Sequence, residues 1–198
     1  MKIYLVRHAE SEGNLSKFMI ENSSLTYFGK EQAKRLSLHF KRLRIQKIFS
    51  SDLERAKLTS KEITRGIRKD VFYDKLLRER NWGEFYKKPR EKIREAENKS
   101  GNEYTFRPNS GESLNDLLDR ARKFLEILKK EKTERIVIVS HAGFIKAFFL
   151  VLFKLPLKEI KFINIKPASI SSFTFSKKFM VSNFILGNMS HLIEDRFL

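Results

Sequence analysis

The sequence predicts an α/β protein, built as a three-layer α/β/α sandwich around a mainly parallel central sheet. Short apolar strands, polar turns and amphipathic helices alternate along the chain, which is the pattern of βα units. Residues 135–140 read RIVIVS, a nearly continuous β-branched run typical of a parallel strand covered on both faces. This predicted strand and the one at 2–6 are each followed closely by a histidine. Because ligands of open α/β sheets bind beyond the carboxyl ends of the strands, a site is expected there.

The first half of the chain is predicted to contain two βα units. KIYLV at 2–6 is a short buried strand, and apolar residues recur at helical spacing across residues 28–43. KIFSS at 47–51 is a second short strand, and the helix after it is predicted to open at Asp52, a suitable N-cap residue. Residues 70–73 are predicted to form a further brief strand.

The second half repeats the pattern after a polar insertion. Residues 86–110 are rich in Lys, Arg, Glu and Asn and contain two prolines, which indicates an exposed insertion or lid. An amphipathic helix is predicted over residues 112–131, and an apolar helix over 144–153. The segments 169–175 and 180–186 alternate like two strands joined by a turn.

The composition fits one domain, residues 1–198, large enough to bury a proper core. There are 41 Lys and Arg against 24 Asp and Glu, giving a formal net charge of +17. Such a charge attracts anions, including phosphorylated metabolites, nucleic acid and acidic lipid headgroups. A lysine-rich surface that supplies only solubility explains the same balance equally well. The charge therefore leaves the ligand open.

The absence of cysteine excludes a disulfide framework, a thiolate zinc site and a catalytic thiol. The first apolar run is too short for a signal peptide, and Lys146 and Lys154 interrupt the longest apolar stretch. That stretch is therefore predicted to be a buried helix and not a membrane span. We expect a cytoplasmic protein that does not bind membranes, and the abundance of Lys and Phe with few Gln suggests a heat-adapted (thermophile) protein.

Four polar segments, each placed after an apolar one, carry the candidate catalytic side chains. They are RHAESEGN at 7–14, SSDLERAKLTS at 50–60, LLRERNWGEF at 76–85 and VSHAGF at 139–144. Taken singly, His8 fits a core histidine and Arg55 fits half of a surface salt bridge. Glu79 alone fits a solvated carboxylate, and His141 alone fits a helix cap.

In this order, the four segments together resemble the histidine phosphatase superfamily, in its phosphoglycerate-mutase-like group. The resemblance runs from residue 3 to about residue 150. LTYFGKEQAKRL at 25–36 is similar to the family's Leu-Thr-x-x-Gly-x-x-Gln-Ala helix entry, and NSGESLNDLLDR at 109–120 is similar to its Gly-Glu-Ser segment. The resemblance implies a phosphoglycerate-mutase-like fold and an enzyme that transfers phosphoryl groups without a cofactor.

The resemblance implies that Arg7, Asn14, Arg55 and His141 bind the phosphate. A phosphoryl group in transfer spreads negative charge over its equatorial oxygens and needs fixed donors around it. The two arginines offer planar, permanently charged forks that suit phosphate oxygens. Asn14 offers an uncharged amide donor, and His141 would complete the pocket from the second strand end.

By the same resemblance His8 is the nucleophile and Glu79 is the general acid and base. A histidine must be neutral to attack phosphorus and form a phosphohistidine. Neighbouring arginines disfavour its protonated form, and a backbone carbonyl on the other ring N–H would fix its tautomer. Glu79 is preferred to Glu84 because it occupies the family's Leu-x-Glu-x-x-x-Gly position, whereas Glu10 matches a less essential position.

A metal site is the rival explanation of clustered histidine and glutamate. The sequence contains no H-x-x-x-H or H-E-x-x-H pattern. Two arginines beside the histidine would also repel a divalent cation. We therefore expect no catalytic metal.

Departures from the family pattern favour a phosphatase over a mutase. Ala9 stands where many members have Gly, and WGEF is followed by YKKPREK and not by an acidic residue and Gly. The Thr-Gly-Trp segment typical of phosphoglycerate mutases is missing, as are their larger insertions. ERNWG at 79–83 points the other way because it is close to the mutase-like Glu-Arg-His-Tyr-Gly. A mutase is therefore kept as the alternative.

A catalytically silent, basic nucleic-acid-binding protein is the third alternative. No Gly-rich basic tail, zinc knuckle or interleaved aromatic and basic motif supports it, so we expect a small phosphorylated substrate. The pocket walls are expected from residues 15–24 and 86–110, where the basic side chains either favour a polyanionic substrate or form a solvated face. These side chains are Lys87, Lys88, Arg90, Lys92, Arg94 and Arg107. The identity of the ester and the existence of a homodimer stay open.

Overall fold

A computed structural model describes residues 1–193 and contains one mixed six-stranded sheet. The strands in chain order are β1 (Lys2–Arg7), β2 (Lys47–Ser50), β3 (Val71–Tyr73), β4 (Arg135–Ser140), β5 (Ile170–Phe175) and β6 (Val181–Asn188). Their order in space is β3-β2-β4-β1-β5-β6. The first four in that order run parallel, whereas β5 pairs antiparallel with both β1 and β6. The predicted α/β fold with a mainly parallel sheet is thus confirmed.

Helices link the strands and cover both faces of the sheet. The α-helices are α1 (Glu12–Leu15), α2 (Tyr27–Lys41), α3 (Glu54–Ile67), α4 (Arg90–Lys99), α5 (Leu114–Lys130) and α6 (Ala142–Phe153). Short 3₁₀ turns occupy Lys75–Leu77, Gly83–Phe85, Leu157–Phe162 and Ser190–Leu192. Among residues 1–193, no helix combines the length and apolarity needed to cross a membrane.

Alternate residues of the central strands feed two separate hydrophobic cores. Ile3 and Leu5 of β1 pack in a core with residues of α5 and α6. Tyr4 and Val6 of the same strand point to the opposite face and pack in a core with residues of α2 and α3. This alternation follows from the twofold side-chain period of a strand and gives the three-layer arrangement.

The start of α3 differs from the predicted one. The helix runs Glu54–Ile67 with Leu53 at the N-cap position, so Asp52 does not cap it. The Asp52 carboxylate instead accepts two hydrogen bonds from the Arg78 guanidinium, each 2.6 Å long. A two-pronged ion pair is a stronger partner for a carboxylate than a single backbone N–H, which explains the different role.

The segment 86–110 forms α4 and a loop, and it is anchored and not simply exposed. Ile93 is only 4% exposed and lies in a small third core with Met19 and Phe85. The N–H of Lys87 donates to the Met19 carbonyl at 2.7 Å, and the N–H of Met19 donates to the Lys88 carbonyl at 2.9 Å. Residues 86–110, hereafter the lid, are therefore joined to the loop that follows α1.

Candidate active site

The carboxyl ends of β1 and β4 bring two histidines together. Arg7 and Ser140 are register partners, and the N–H of His8 donates to the Ser140 carbonyl at 2.9 Å. The rings of His8 and His141 lie 5.0 Å apart between centroids, and both residues are almost fully buried. Adjacent parallel strands thus place residues from opposite halves of the sequence in one site.

The tautomer of His8 is fixed by its neighbour in the chain. His8 Nδ1 lies 2.7 Å from the Ala9 carbonyl, which can only accept, so Nδ1 carries the proton. His8 Nε2 therefore has a free lone pair, and it accepts a hydrogen bond of 3.2 Å from Arg55 Nε. The main-chain partner that the sequence could not specify is the carbonyl of Ala9.

Burial and two arginines keep His8 neutral. Burial is the largest cause that holds the pKa of His8 well below its usual value, and the charges of Arg55 and Arg7 lower it further. The imidazole therefore remains unprotonated at neutral pH and keeps its lone pair.

His141 is also neutral, and one of its nitrogens has no hydrogen-bond partner among residues 1–193. Its pKa is held well below the usual value, chiefly by burial. Nε2 lies 2.8 Å from the hydroxyl of Ser51, which follows β2, and this hydroxyl accepts from the N–H of Leu53 at 3.3 Å. Nδ1 is buried without a hydrogen-bond partner. If the Ser51 hydroxyl donates to Nε2, Nδ1 carries a proton that only a ligand can accept.

Two buried arginines are held by backbone carbonyls. Arg7 donates from Nη1 to the Ile165 carbonyl at 2.6 Å, while its Nε has no partner within the described part of the chain. Arg55 donates from Nη1 to the Glu21 carbonyl at 2.7 Å. These contacts leave part of each guanidinium fork unused, so each can take an oxyanion.

Asn14 is oriented by the capping of α1. Its Oδ1 accepts hydrogen bonds from the backbone N–H and the hydroxyl of Ser11, at 3.0 and 3.1 Å. The amide NH₂ group is consequently free to donate. Arg90 of the lid clamps the same turn by donating to the carbonyls of Gly13 and Ser16, at 2.7 and 3.1 Å.

Glu79 lies at the N-terminus of α6, beside the two histidines. Glu79 Oε2 accepts from the N–H of Gly143 at 3.2 Å, and Oε1 accepts from the N–H of Arg80 at 3.0 Å. A Cβ atom at position 143 would lie only 2.2 Å from Glu79 Oε1. Gly143, for which the sequence predicted no role, is therefore required for the close approach of this carboxylate.

The other two glutamates weighed from the sequence lie outside this arrangement. The exposed Glu84 accepts from the N–H of Asn109 at 3.2 Å. Glu10 accepts from the hydroxyl of Thr26 at 2.8 Å and so supports the entry to α2. Neither residue lines the cavity that contains His8.

Arg120 of α5 fixes the backbone that carries Glu79. Its guanidinium donates to the carbonyls of Leu76, Arg78 and Glu79, at distances of 2.6 to 3.1 Å. It also forms a two-pronged ion pair with Glu112, at 2.7 and 2.9 Å. Both residues lie in NSGESLNDLLDR at 109–120, the segment that is similar to the family's Gly-Glu-Ser segment. No local sequence pattern predicts that this segment contacts the backbone around Glu79.

A cavity of about 440 Å³ opens between Arg7, His8, Asn14, Arg55 and Glu79. Its acidic side chains are Glu21 and Glu79, and its basic side chains are Arg7, Arg55, Arg80, Arg90, Lys146 and Lys161. Six basic groups against two acidic ones make the cavity a site for an anion. Of the six residues predicted for the site, Arg7, His8, Asn14, Arg55 and Glu79 line this cavity. The sixth, His141, does not line it but lies against His8, with the two ring centroids 5.0 Å apart.

The predicted walls are only partly correct. Met19, Ile20 and Glu21 contribute from the 15–24 loop, and Tyr86 and Arg90 contribute from the lid. The other lid cations point elsewhere: Lys88 pairs with Glu84, Lys92 with Glu95, and Arg107 with Asp116. The sequence missed the contributions of Trp82, Leu114, Lys146, Ile160 and Lys161.

A neutral histidine in a cationic cavity at the carboxyl edge of such a sheet defines a phosphoryl-transfer enzyme of the histidine phosphatase type. The chain belongs to the histidine phosphatase superfamily (branch 1), whose sequence profile matches residues 3–183. Its fold and chemistry are therefore those of a family that contains both phosphatases and phosphoglycerate mutases.

Known proteins of both kinds are similar to this chain. The probable phosphoglycerate mutase GpmB of Escherichia coli is 28% identical over 204 residues, covering 97% of this chain and 95% of the relative. A phosphoserine phosphatase from Entamoeba histolytica, solved with 3-phosphoglyceric acid, is 25% identical with a TM-score of 0.81, covering 96% and 98% of the two chains. YhfR from Bacillus stearothermophilus has the same fold, with a TM-score of 0.86, 23% identity and coverage of 96% and 98%.

Proposed function

We propose that this protein is a metal-independent phosphatase that hydrolyses phosphomonoesters through a phosphohistidine on His8. The observation that carries the proposal is the state of the His8 ring. Nδ1–H is bound to the Ala9 carbonyl, and the Nε2 lone pair meets Arg55 in the cationic cavity. A neutral imidazole with this lone pair exposed to the ligand site is a nucleophile for phosphorus.

The phosphate would bind at the buried end of the cavity, hereafter the phosphate end, defined by Arg7, His8, Asn14, Arg55 and His141. Arg7 Nε and His141 Nδ1 are buried without partners in the segment 1–193, and both can serve as donors to phosphate oxygens. Binding would also redirect Arg55 Nε from His8 Nε2 to an oxygen of the phosphate. The lone pair is then released when the electrophile arrives.

In the first step His8 Nε2 attacks phosphorus and the bond from phosphorus to the ester oxygen breaks. Glu79 gives its proton to the departing alkoxide, so the alcohol leaves neutral. In the second step Glu79, now ionised, takes a proton from water while the water oxygen attacks the phosphohistidine. The nitrogen–phosphorus bond breaks, inorganic phosphate is released and neutral His8 is restored.

The alternative is a phosphoglycerate mutase, in which the phosphohistidine returns its phosphoryl group to a reoriented substrate. The name of the Escherichia coli relative favours this alternative. The missing Thr-Gly-Trp segment and the lack of the larger mutase insertions favour hydrolysis. Isomerisation of 3-phosphoglycerate, primed by 2,3-bisphosphoglycerate and faster than phosphate release, would identify a mutase.

His8→Ala tests the mechanism directly. The variant is expected to lose turnover of an aryl phosphate, together with the pre-steady-state burst of aryl alcohol that a covalent intermediate produces. His39→Ala removes a histidine outside the cavity and is the matched control, with circular dichroism to check folding. A burst that persists in His8→Ala would disprove the phosphohistidine. Inhibition of the unaltered chain by a chelator would contradict metal independence.

A further inference from the structure

Lys146 is the only residue of α6 with an ionisable side chain. The sequence of the helix is AGFIKAFFLVLF. The helix packs against the core through Phe144, Ile145 and Phe148, all fully buried. Lys146 is half-buried and lines the cavity that contains His8 and Glu79. A cation kept in such a helix requires a reason beyond solubility.

Apart from Arg7 and Arg55 beside His8, the other cations around the cavity are occupied by protein acceptors. Arg80 donates to the carbonyls of Glu112 and Phe106 and pairs with Glu97. Lys161 pairs with Glu103 of the lid at 2.5 Å. Arg90 is held by the carbonyls of the α1 turn, as described above.

Lys146, in contrast, has no hydrogen-bond or ion-pair partner in the part of the chain that the structure describes, residues 1–193. Its charge interacts with Glu79, which favours the ammonium form, and with Arg7, which disfavours it. Burial lowers the pKa of Lys146 more than the charge of Glu79 raises it, so the protein compensates only part of the cost of keeping the ammonium half-buried. An anion in the cavity would compensate it.

The position of Lys146 indicates which part of a ligand it would meet. Gly143, whose N–H holds the Glu79 carboxylate, is three residues earlier in α6, so the two positions share a helix face. Glu79 protonates the departing oxygen in the proposed reaction, so the leaving group lies on its side of the cavity. Lys146 is therefore one helical turn beyond the proton donor, on the leaving-group side.

We propose that Lys146 is a specificity-determining residue that binds a carboxylate on the leaving group of the phosphomonoester. This inference rests on the proposed function, because the leaving-group side is defined by the role of Glu79. One ammonium matches the single charge of a carboxylate. A second phosphate dianion would need further donors, and the neighbouring cations are already held by protein acceptors.

The test compares two ligands that differ only in this group. 3-Phosphoglycerate carries a carboxylate where glycerol 3-phosphate carries a neutral hydroxymethyl group. Their binding is measured by calorimetry in the His8→Ala background, where no phosphoryl transfer occurs. We expect 3-phosphoglycerate to bind about tenfold more tightly or better, as for one charge-assisted hydrogen bond.

Adding Lys146→Met should remove this preference and leave the affinity for glycerol 3-phosphate nearly unchanged. Lys161→Met is the matched control, because it removes a cavity cation that is already paired, and it should keep the preference. The inference is overturned if the two ligands bind equally to the His8→Ala protein, in which Lys146 is intact. It is also overturned if the preference for 3-phosphoglycerate survives when Lys146→Met is added. An equal loss for both ligands would also overturn it, since Lys146 would then act on the phosphate.

A separate measurement distinguishes this inference from the proposed function. Hydrolysis of an aryl phosphate by the unaltered chain tests the function without involving a carboxylate. A chain that prefers 3-phosphoglycerate but hydrolyses no aryl phosphate contradicts the function alone. A chain that hydrolyses the aryl phosphate but shows no preference contradicts the role of Lys146 alone.

Discussion

The two ends of the cavity are built in different ways. At the phosphate end, His8 and His141 follow adjacent parallel strands and are nearly inaccessible to solvent. At the opposite end, hereafter the lid end, the walls come from the lid, the 15–24 loop and one face of α6. The lid is held by a small core and a few backbone hydrogen bonds. A geometry needed for the chemical step is thus fixed by the main sheet, whereas the surface that meets the leaving group can vary without disturbing the sheet.

The largest effect is expected from Glu79→Gln, which removes the proposed proton donor between the two ends of the cavity. Turnover of an alkyl phosphate should fall about 10²- to 10³-fold, because an alkoxide leaves poorly without a proton. An aryl phosphate, whose leaving group is stable as an anion, should lose much less in its first step. Glu84→Gln is the control, since Glu84 lies outside the cavity. Equal losses for both esters would contradict the role of Glu79 as an acid.

Arg120→Met tests whether the chemical step depends on support from α5. Loss of the donors to Leu76, Arg78 and Glu79 should displace the Glu79 carboxylate and lower kcat about 10- to 100-fold. KM should change little, because Arg120 is not among the residues that line the main cavity.

Arg120→Lys retains the charge but not the planar fork, so it should recover only part of kcat. Arg122→Met, a nearby change in an exposed ion pair with Asp119, is the control. If Arg120→Met lowered thermal stability but left kcat unchanged, Arg120 would have a purely structural role.

A change confined to the lid should affect KM and not kcat, the reverse of the result expected for Arg120→Met. Ile93→Ala leaves a cavity in the third core and loosens the lid, and we expect KM to rise by less than about tenfold with kcat nearly unchanged. Steady-state kinetics with one aryl phosphate measure both parameters. A fall in kcat as large as that of Arg120→Met would mean that the two ends are not independent.

The smallest effect is expected from a change of pH, which should alter the free energy of unfolding through the two histidines of the phosphate end. Burial holds the pKa values of His8 and His141 well below the usual value of 6.5. Below about pH 6.5 the unfolded chain therefore binds protons that the folded protein does not bind, and the free energy of unfolding falls with falling pH. Urea unfolding at pH 7.5 and at pH 5.5 measures the difference, with both pH values chosen on the order of one unit either side of the histidine pKa. The double variant His8→Gln, His141→Gln should show a smaller difference, and an unchanged one would contradict the prediction.

The phosphate end could be predicted from the sequence because each of its residues is near a recognisable local pattern. Arg7 and His8 follow an apolar strand, and His141 follows another, so the topology of a parallel sheet brings them together. Lys146 and Arg120 could not be assigned in the same way. Their functions depend on which neighbours tertiary packing leaves without partners, and helical spacing does not encode this.

The same reasoning explains what the sequence left open at the lid end and why the predicted start of α3 was wrong. Basic residues of 86–110 look alike in sequence, yet only Arg90 among those considered lines the cavity. Its partners are carbonyls of the α1 turn, distant in sequence. Asp52 has the residue type of an N-cap, but Arg78 provides a stronger partner from another segment. In each case a long-range contact outweighed a local preference.

The position of β1 in the middle of the sheet has a consequence for synthesis of the protein. Of the six strands, β1 comes first in the sequence, yet its partners β4 and β5 follow only after β2, β3 and the helices α1 to α5. During translation, its apolar residues cannot be buried against these partners until β4 and β5 have been made, and pairing between strands so distant in sequence is intrinsically slow. Because His8 follows that strand, a nascent chain carries this histidine well before β4 and His141 are made and can complete the site.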